Sequence, residues 1–169
     1  ADGDLLDFYR DGLGAVEQVL RAADPATEIW TWSADKTVGF VIRWMAQETA
    51  VHRWDAEQAA GNDHSIEGDL ASDGIDEFLT HFLGDAREGA EPVGGSVHIH
   101  CGDVPGEWTL RPSEAGFELS REHAKGDCAI RGSANDVLLA LWRRTSTSTL
   151  DLVGDAAMAE RFIARTNLQ

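Results

Sequence analysis

Apolar residues recur at helical spacing through the first half of the chain and at every second position in short runs between residues 96 and 132. Leu5, Leu6, Phe8, Tyr9, Leu13, Val16, Val19 and Leu20 predict an amphipathic helix over Asp4 to Ala23, ended by Asp24-Pro25. A second helix is expected over Lys36 to Ala60. Val38, Val41, Ile42, Met45, Thr49, Ala56 and Ala59 form its stripe, and Arg43, Arg53 and Glu57 lie off it. Asp35 or Ser33 would cap its start and Gly61 its end. Ile75, Phe78, Leu79, Phe82 and Leu83 make a third segment, Ile66 to Ala90, mostly helical, before the Gly/Pro-rich EGAEPVGG.

The period then changes. SVHIHC, EWTLR, FELSRE and DCAIRG are short alternating runs separated by turns, which predicts an antiparallel meander. Ser133 caps a short helix with Val137, Leu138, Leu141 and Trp142 inward. LDLV reads as a last strand, and Met158, Phe162 and Ile163 belong to a closing helix. The fold class is therefore α+β: two bundle-type helices over 1–63, then a small antiparallel sheet with helices on one face over 64–169. Two amphipathic helices do not enclose a core. Helices outside this sequence, or a second copy of the chain, are expected to cover Leu13, Val16, Leu20, Val41 and Met45, so a homodimer is expected.

Composition narrows the partners. A formal charge of −16, spread along the chain, argues against nucleic acid and anionic membrane surfaces. No apolar run approaches the ~18 residues of a membrane span. With only two cysteines, Cys101 and Cys128, both in strand-like runs, buried free thiols and a cytoplasmic location are expected. Four of the six tryptophans, Trp30, Trp32, Trp44 and Trp54, crowd the first third of the chain, where Trp32 and Trp44 could wall a pocket for a small-molecule substrate.

Candidate chemistry centres on Glu48 and His52. They are four residues apart, so their side chains leave one helix face a turn from each other, and both fall inside the apolar stripe. A carboxylate and an imidazole turned toward a bundle interior are costly to desolvate unless they pair or hold a cation. A structural hydrogen-bonded pair and a metal site both satisfy that demand, and two ligands do not fill a zinc sphere. His98 and His100 alternate with Val97 and Ile99, which places them on a solvent face; with His123 they read as surface histidines rather than a dedicated metal site.

WTWSADKTVGFVIRWMAQETAVHRWDAEQAAG resembles the last bundle helix of the mycothiol-dependent maleylpyruvate isomerase family of actinobacteria, a group of DinB-like metal-binding four-helix bundles. GEWTLRP, REHAKGDCAIRG, DVLLALWRR and LVGDAAMAERFIA resemble that family's C-terminal domain, which is similar to sterol-carrier domains. The resemblance implies a divalent metal, usually zinc, held by an early-helix histidine plus Glu48 and His52. The early histidine has no counterpart here, because the first bundle helices are not in the sequence; His64 and His81 are weak substitutes. It also implies mycothiol as the thiol cofactor and a thiol-driven cis-trans isomerisation or a thiol transfer. A dianionic substrate on so acidic a chain needs local positive charge, for which Arg143, Arg144 and Arg53 are the candidates. The alternative is a non-catalytic small-molecule or lipid binding protein built on the sterol-carrier-like half, in which Glu48 and His52 are a structural pair. A further alternative is a structural or regulatory piece whose two helices are completed by another copy.

Overall fold

The computed structural model describes residues 2–84, 86–114 and 116–168. The chain divides into two compact units, 1–46 and 47–169. Helix α1 spans Asp2–Ala22 and helix α2 spans Val38–Ala59, the latter running through the division. Thr37, rather than Asp35 or Ser33, caps α2: its hydroxyl oxygen accepts from the Phe40 amide at 3.2 Å. Asp35 and Ser33 instead shape the preceding loop. The Asp35 carboxylate accepts from the Thr37 hydroxyl, and the Ser33 hydroxyl accepts from the Asp35 amide.

In the first unit the face of α1 stays uncovered, with Leu13 at 53% and Val16 at 47% exposed. Trp32, Phe40 and Trp44 pack on one another there, with ring centroids 5.3 to 6.4 Å apart. The face that α2 buries differs from the expected stripe. Met45, Thr49 and Ala56 are exposed, while Gln47, Ala50 and Val51 are buried.

The second unit holds a five-stranded sheet in the order β3-β2-β1-β4-β5. The strands are β1 (Val97–Cys101), β2 (Glu107–Ser113), β3 (Gly116–Ser120), β4 (Cys128–Gly132) and β5 (Asp151–Gly154). Helices α3 (Gly68–His81), α4 (Ala134–Leu141) and α5 (Ala156–Arg165) complete it. Helix α3 is shorter than the expected Ile66–Ala90 segment, starting at the Glu67 cap and ending at Phe82. Val97, Ile99, Cys101, Trp108, Leu110, Cys128 and Ile130 carry one face of the sheet into a core shared with Ile75, Phe78, Leu138, Leu141 and Phe162. Trp108 ties that face to α3 by donating its indole N–H to Asp76 at 2.9 Å.

The meander expectation holds for β1 to β3 and fails at β4, which pairs parallel to β1. A parallel neighbour needs a crossover, and residues 121–127 supply it on the sheet face away from the helices. There the Thr109 hydroxyl donates to the Glu122 carbonyl at 3.1 Å. Asp127 accepts from both the amide and the hydroxyl of Ser96, at 2.8 and 2.7 Å. Gly126 passes so close to β1 that a Cβ would lie 2.8 Å from the His98 nitrogen. This crossover overturns the solvent-face expectation for His98, which is only 4% exposed. Among the described residues, no helix is long and apolar enough to cross a membrane.

Candidate active site

Past residue 46, α2 is held against α3 by Gln47, whose amide donates to the Leu70 carbonyl at 3.1 Å and to Asp73 at 2.8 Å. The approach is close because residue 74 is glycine; a Cβ there would collide with the Gln47 side chain. The packing leaves a cleft of about 200 Å³ between α2 and the end of α4. Val51 and Trp142 give it apolar walls, and Glu48, His52, Glu77 and Arg144 give it charge.

Three of these side chains are wired together. His52 Nδ1 lies 3.0 Å from Asp55 Oδ2, and His52 Nε2 lies 3.3 Å from Glu48 Oε2. Asp55 also accepts from Arg144, from Nε at 3.3 Å and from Nη2 at 3.2 Å. Burial pushes the Asp55 pKa up, but hydrogen bonds from Arg144 and His52 outweigh it and hold the carboxyl below the usual aspartate value. His52, its side chain 62% exposed rather than turned into a bundle interior, stands between two carboxylates, Asp55 at Nδ1 and Glu48 at Nε2. An imidazole N–H donated to Glu48, or a cation held between the two, each satisfies the Glu48–His52 contact at 3.3 Å. Nitrogen and oxygen ligands bonded to zinc at ~2.0–2.1 Å stand about 3.3 Å apart in a tetrahedron, so the pair fits a metal. No third carboxylate, imidazole or thiol joins them within 4.8 Å among the described residues.

Arg144 reaches the cleft through an unusual helix end. Arg143 adopts φ 56°, the left-handed region, just after the Trp142 cap of α4. Its amide bonds to the Ala140 carbonyl at 2.9 Å, and the Arg144 amide to Leu139 at 2.8 Å, a Schellman pattern normally built on glycine. The reversal sends the two arginines apart. Arg143 donates to the Thr166 carbonyl at 3.1 Å and does not line the cleft. Arg144 packs 5.8 Å from the Trp142 ring centroid and donates Nη1 to the Trp142 carbonyl. Arg53 lies outside the cleft, 3.4 Å from the Ser65 carbonyl and 3.8 Å from Glu57. Trp32 and Trp44 belong to the first unit's aromatic cluster and do not line this cleft. Its aromatic wall is Trp142 and Glu77 is a polar member, while Asp55 stands outside the lining and acts through His52 and Arg144; spacing singled out neither carboxylate. For Asp55 a signal existed: it sits three residues after His52, on the same helical face.

Residues 69–161 match the MDMPI C-terminal domain, and residues 1–57 match the mycothiol maleylpyruvate isomerase N-terminal domain. The chain belongs to the mycothiol maleylpyruvate isomerase family. Glu48 and His52 lie within the N-terminal match, and Arg144 and Trp142 within the C-terminal one. No curated protein matches the chain. Among solved structures, it is similar to a UbiJ-SCP2 ubiquinone synthesis protein at 21% identity, with 57% of this chain and 88% of that one covered and a TM-score of 0.41. It is also similar to Sterol Carrier Protein 2 Like 2 from Aedes aegypti, at 16% identity, 71% and 95% coverage and a TM-score of 0.33.

Proposed function

We propose that this family member is a metal-dependent, mycothiol-utilising isomerase or thiol transferase whose site is the cleft of Glu48, His52 and Arg144. The observation that carries the reading is the Glu48–His52 contact at 3.3 Å, a spacing that suits two ligands of one ion, with Asp55 at the opposite ring nitrogen. Glu48 and His52 would hold a divalent ion, zinc by preference for this donor set, and Asp55 would then accept the Nδ1 proton and leave Nε2 to ligate. The ion, when bound, lowers the thiol's pKa so that thiolate is available at neutral pH.

In the isomerase reaction, the mycothiol sulfur adds to the activated cis double bond of maleylpyruvate, forming a C–S bond and turning the C=C bond into a single bond. Rotation about it and expulsion of the same thiolate give fumarylpyruvate. Arg144 spends one N–H on each of three nitrogens in protein contacts. A second N–H on each Nη remains for a substrate carboxylate. Trp142 and Val51 exclude water from one side of the cleft. A cytoplasmic setting fits two buried, unpaired cysteines. The exposed Leu13 and Val16 on the apolar face of α1 support a homodimer.

The test is conversion of maleylpyruvate by zinc-loaded protein with and without mycothiol, followed by NMR. The reading expects thiol-dependent fumarylpyruvate formation, lost in His52→Ala and weakened chiefly through KM in Arg144→Ala. For thiol-transferase activity, the same cleft variants are assayed with an electrophilic acceptor. Wild-type zinc binding with neither activity would overturn it.

A further inference from the structure

The other face of the sheet carries a second set of ligands. His98 and His100, two apart on β1, point to the side away from the helices, and His100 stands directly opposite Glu107 in the β1–β2 register. The crossover brings His123 to the same place, with its ring 5.2 Å from that of His98. His123 Nδ1 lies 3.0 and 3.1 Å from the two Glu107 oxygens, and His100 Nδ1 lies 2.6 Å from Oε1 without the alignment of a hydrogen bond. One carboxylate therefore faces two imidazoles. Behind them His98 is 4% exposed, and its buried Nε2 has no hydrogen-bond partner. An orphaned buried ring nitrogen is costly unless something fills its coordination.

We propose that His98, His100, His123 and Glu107 form a second metal site, for a borderline divalent transition ion such as zinc. Ligand atoms of His98, His100 and Glu107 already lie within 4.8 Å of one another. A tetrahedral zinc sphere needs a ligand spacing of roughly 3.3 Å. The donor set excludes calcium and magnesium, which favour several oxygens. It holds one carboxylate, and Arg131 of β4 stands across from His100. Three imidazoles and a carboxylate suit zinc, cobalt, nickel or copper. The ends of the crossover are pinned by Ser96–Asp127 and Thr109–Glu122, so His123 is held in place before a metal arrives. This site is independent of Glu48 and His52.

The test uses the full chain carrying Glu48→Ala and His52→Ala, stripped by a chelator and titrated with zinc or cobalt. The proposal expects one equivalent bound, with the visible absorption of tetrahedral cobalt. His123→Ala and His100→Ala should each weaken binding by at least about tenfold. His123 is 75% exposed at its side chain, so its variant leaves the fold intact. Absence of stoichiometric binding, affinity unchanged in both histidine variants, or equal affinity for magnesium would each overturn the proposal.

Discussion

Asp55→Asn separates a residue that orients a metal ligand from one that merely stabilises the fold. Asp55 receives three hydrogen bonds, one from His52 at 3.0 Å and two from Arg144 at 3.3 and 3.2 Å. Asparagine keeps one acceptor oxygen and turns an NH2 group toward the donors it no longer satisfies. The Arg144 and Asp55 side chains are 26% and 34% exposed, so solvent screening holds the fold contribution of the pair to about 1 kcal/mol. Losing the partner of a ligating histidine costs metal affinity on the order of 10–100-fold, or roughly 1.4–2.7 kcal/mol. Metal binding should therefore suffer more than stability. The assay is zinc competition against a chromophoric chelator in a His100→Ala, His123→Ala background, beside urea denaturation of the apo proteins. The acid limb gives a further check. Asp55's pKa is lowered in the fold, so its contribution is complete above about pH 4 and is lost as pH falls through the folded value. Zinc affinity within twofold of the parent's, with stability down by the full ~1 kcal/mol, would refute Asp55 as the orienting partner of His52.

Three other outcomes are expected. Arg143 sits at φ 56°, so Arg143→Gly should be more stable than Arg143→Ala by about 1 kcal/mol in urea, since both lose the bond to Thr166 and only glycine relieves the backbone. Burial pushes both thiols, Cys101 and Cys128, up to about 11, so iodoacetamide at pH 8 should label neither until urea is added. Burial also lowers the His98 pKa, against the pull of Glu107 and with help from His123, His100 and Arg131. The unfolded chain then takes up a proton that the fold resists, and metal-free protein should lose stability as pH drops below ~6.5; His98→Gln should flatten that slope in urea titrations between pH 7.5 and 5.5.

Much of this architecture was legible in local pattern. The Ser133 cap, the alternation from Val97 to Cys101 and the amphipathic run of α1 each determine an element from neighbouring residues. Helix α2 departs from its expected stripe for a physical reason. It runs through two compact units and buries Val38 and Phe40 near its start but Gln47, Ala50 and Val51 further on, so one stripe drawn over its whole length averages unlike environments. The pairing of Glu48 with His52 follows from a four-residue spacing. Its connection to Arg144 does not, because that depends on a left-handed residue at a non-glycine position. The histidine set of the sheet was hidden more deeply. Alternation puts His98 and His100 on the face opposite Val97 and Ile99, but only the parallel placement of β4 forces the crossover that takes His98 out of solvent and brings His123 beside it.

The most direct test of the central reading is the near-ultraviolet spectrum of the cobalt-substituted protein on addition of mycothiol. A thiolate bound at Glu48 and His52 gives a sulfur-to-cobalt charge-transfer band. The band is expected to develop in wild type and in His100→Ala, His123→Ala protein and to be missing from His52→Ala. No band in wild type, or a band that survives His52→Ala, would contradict that reading.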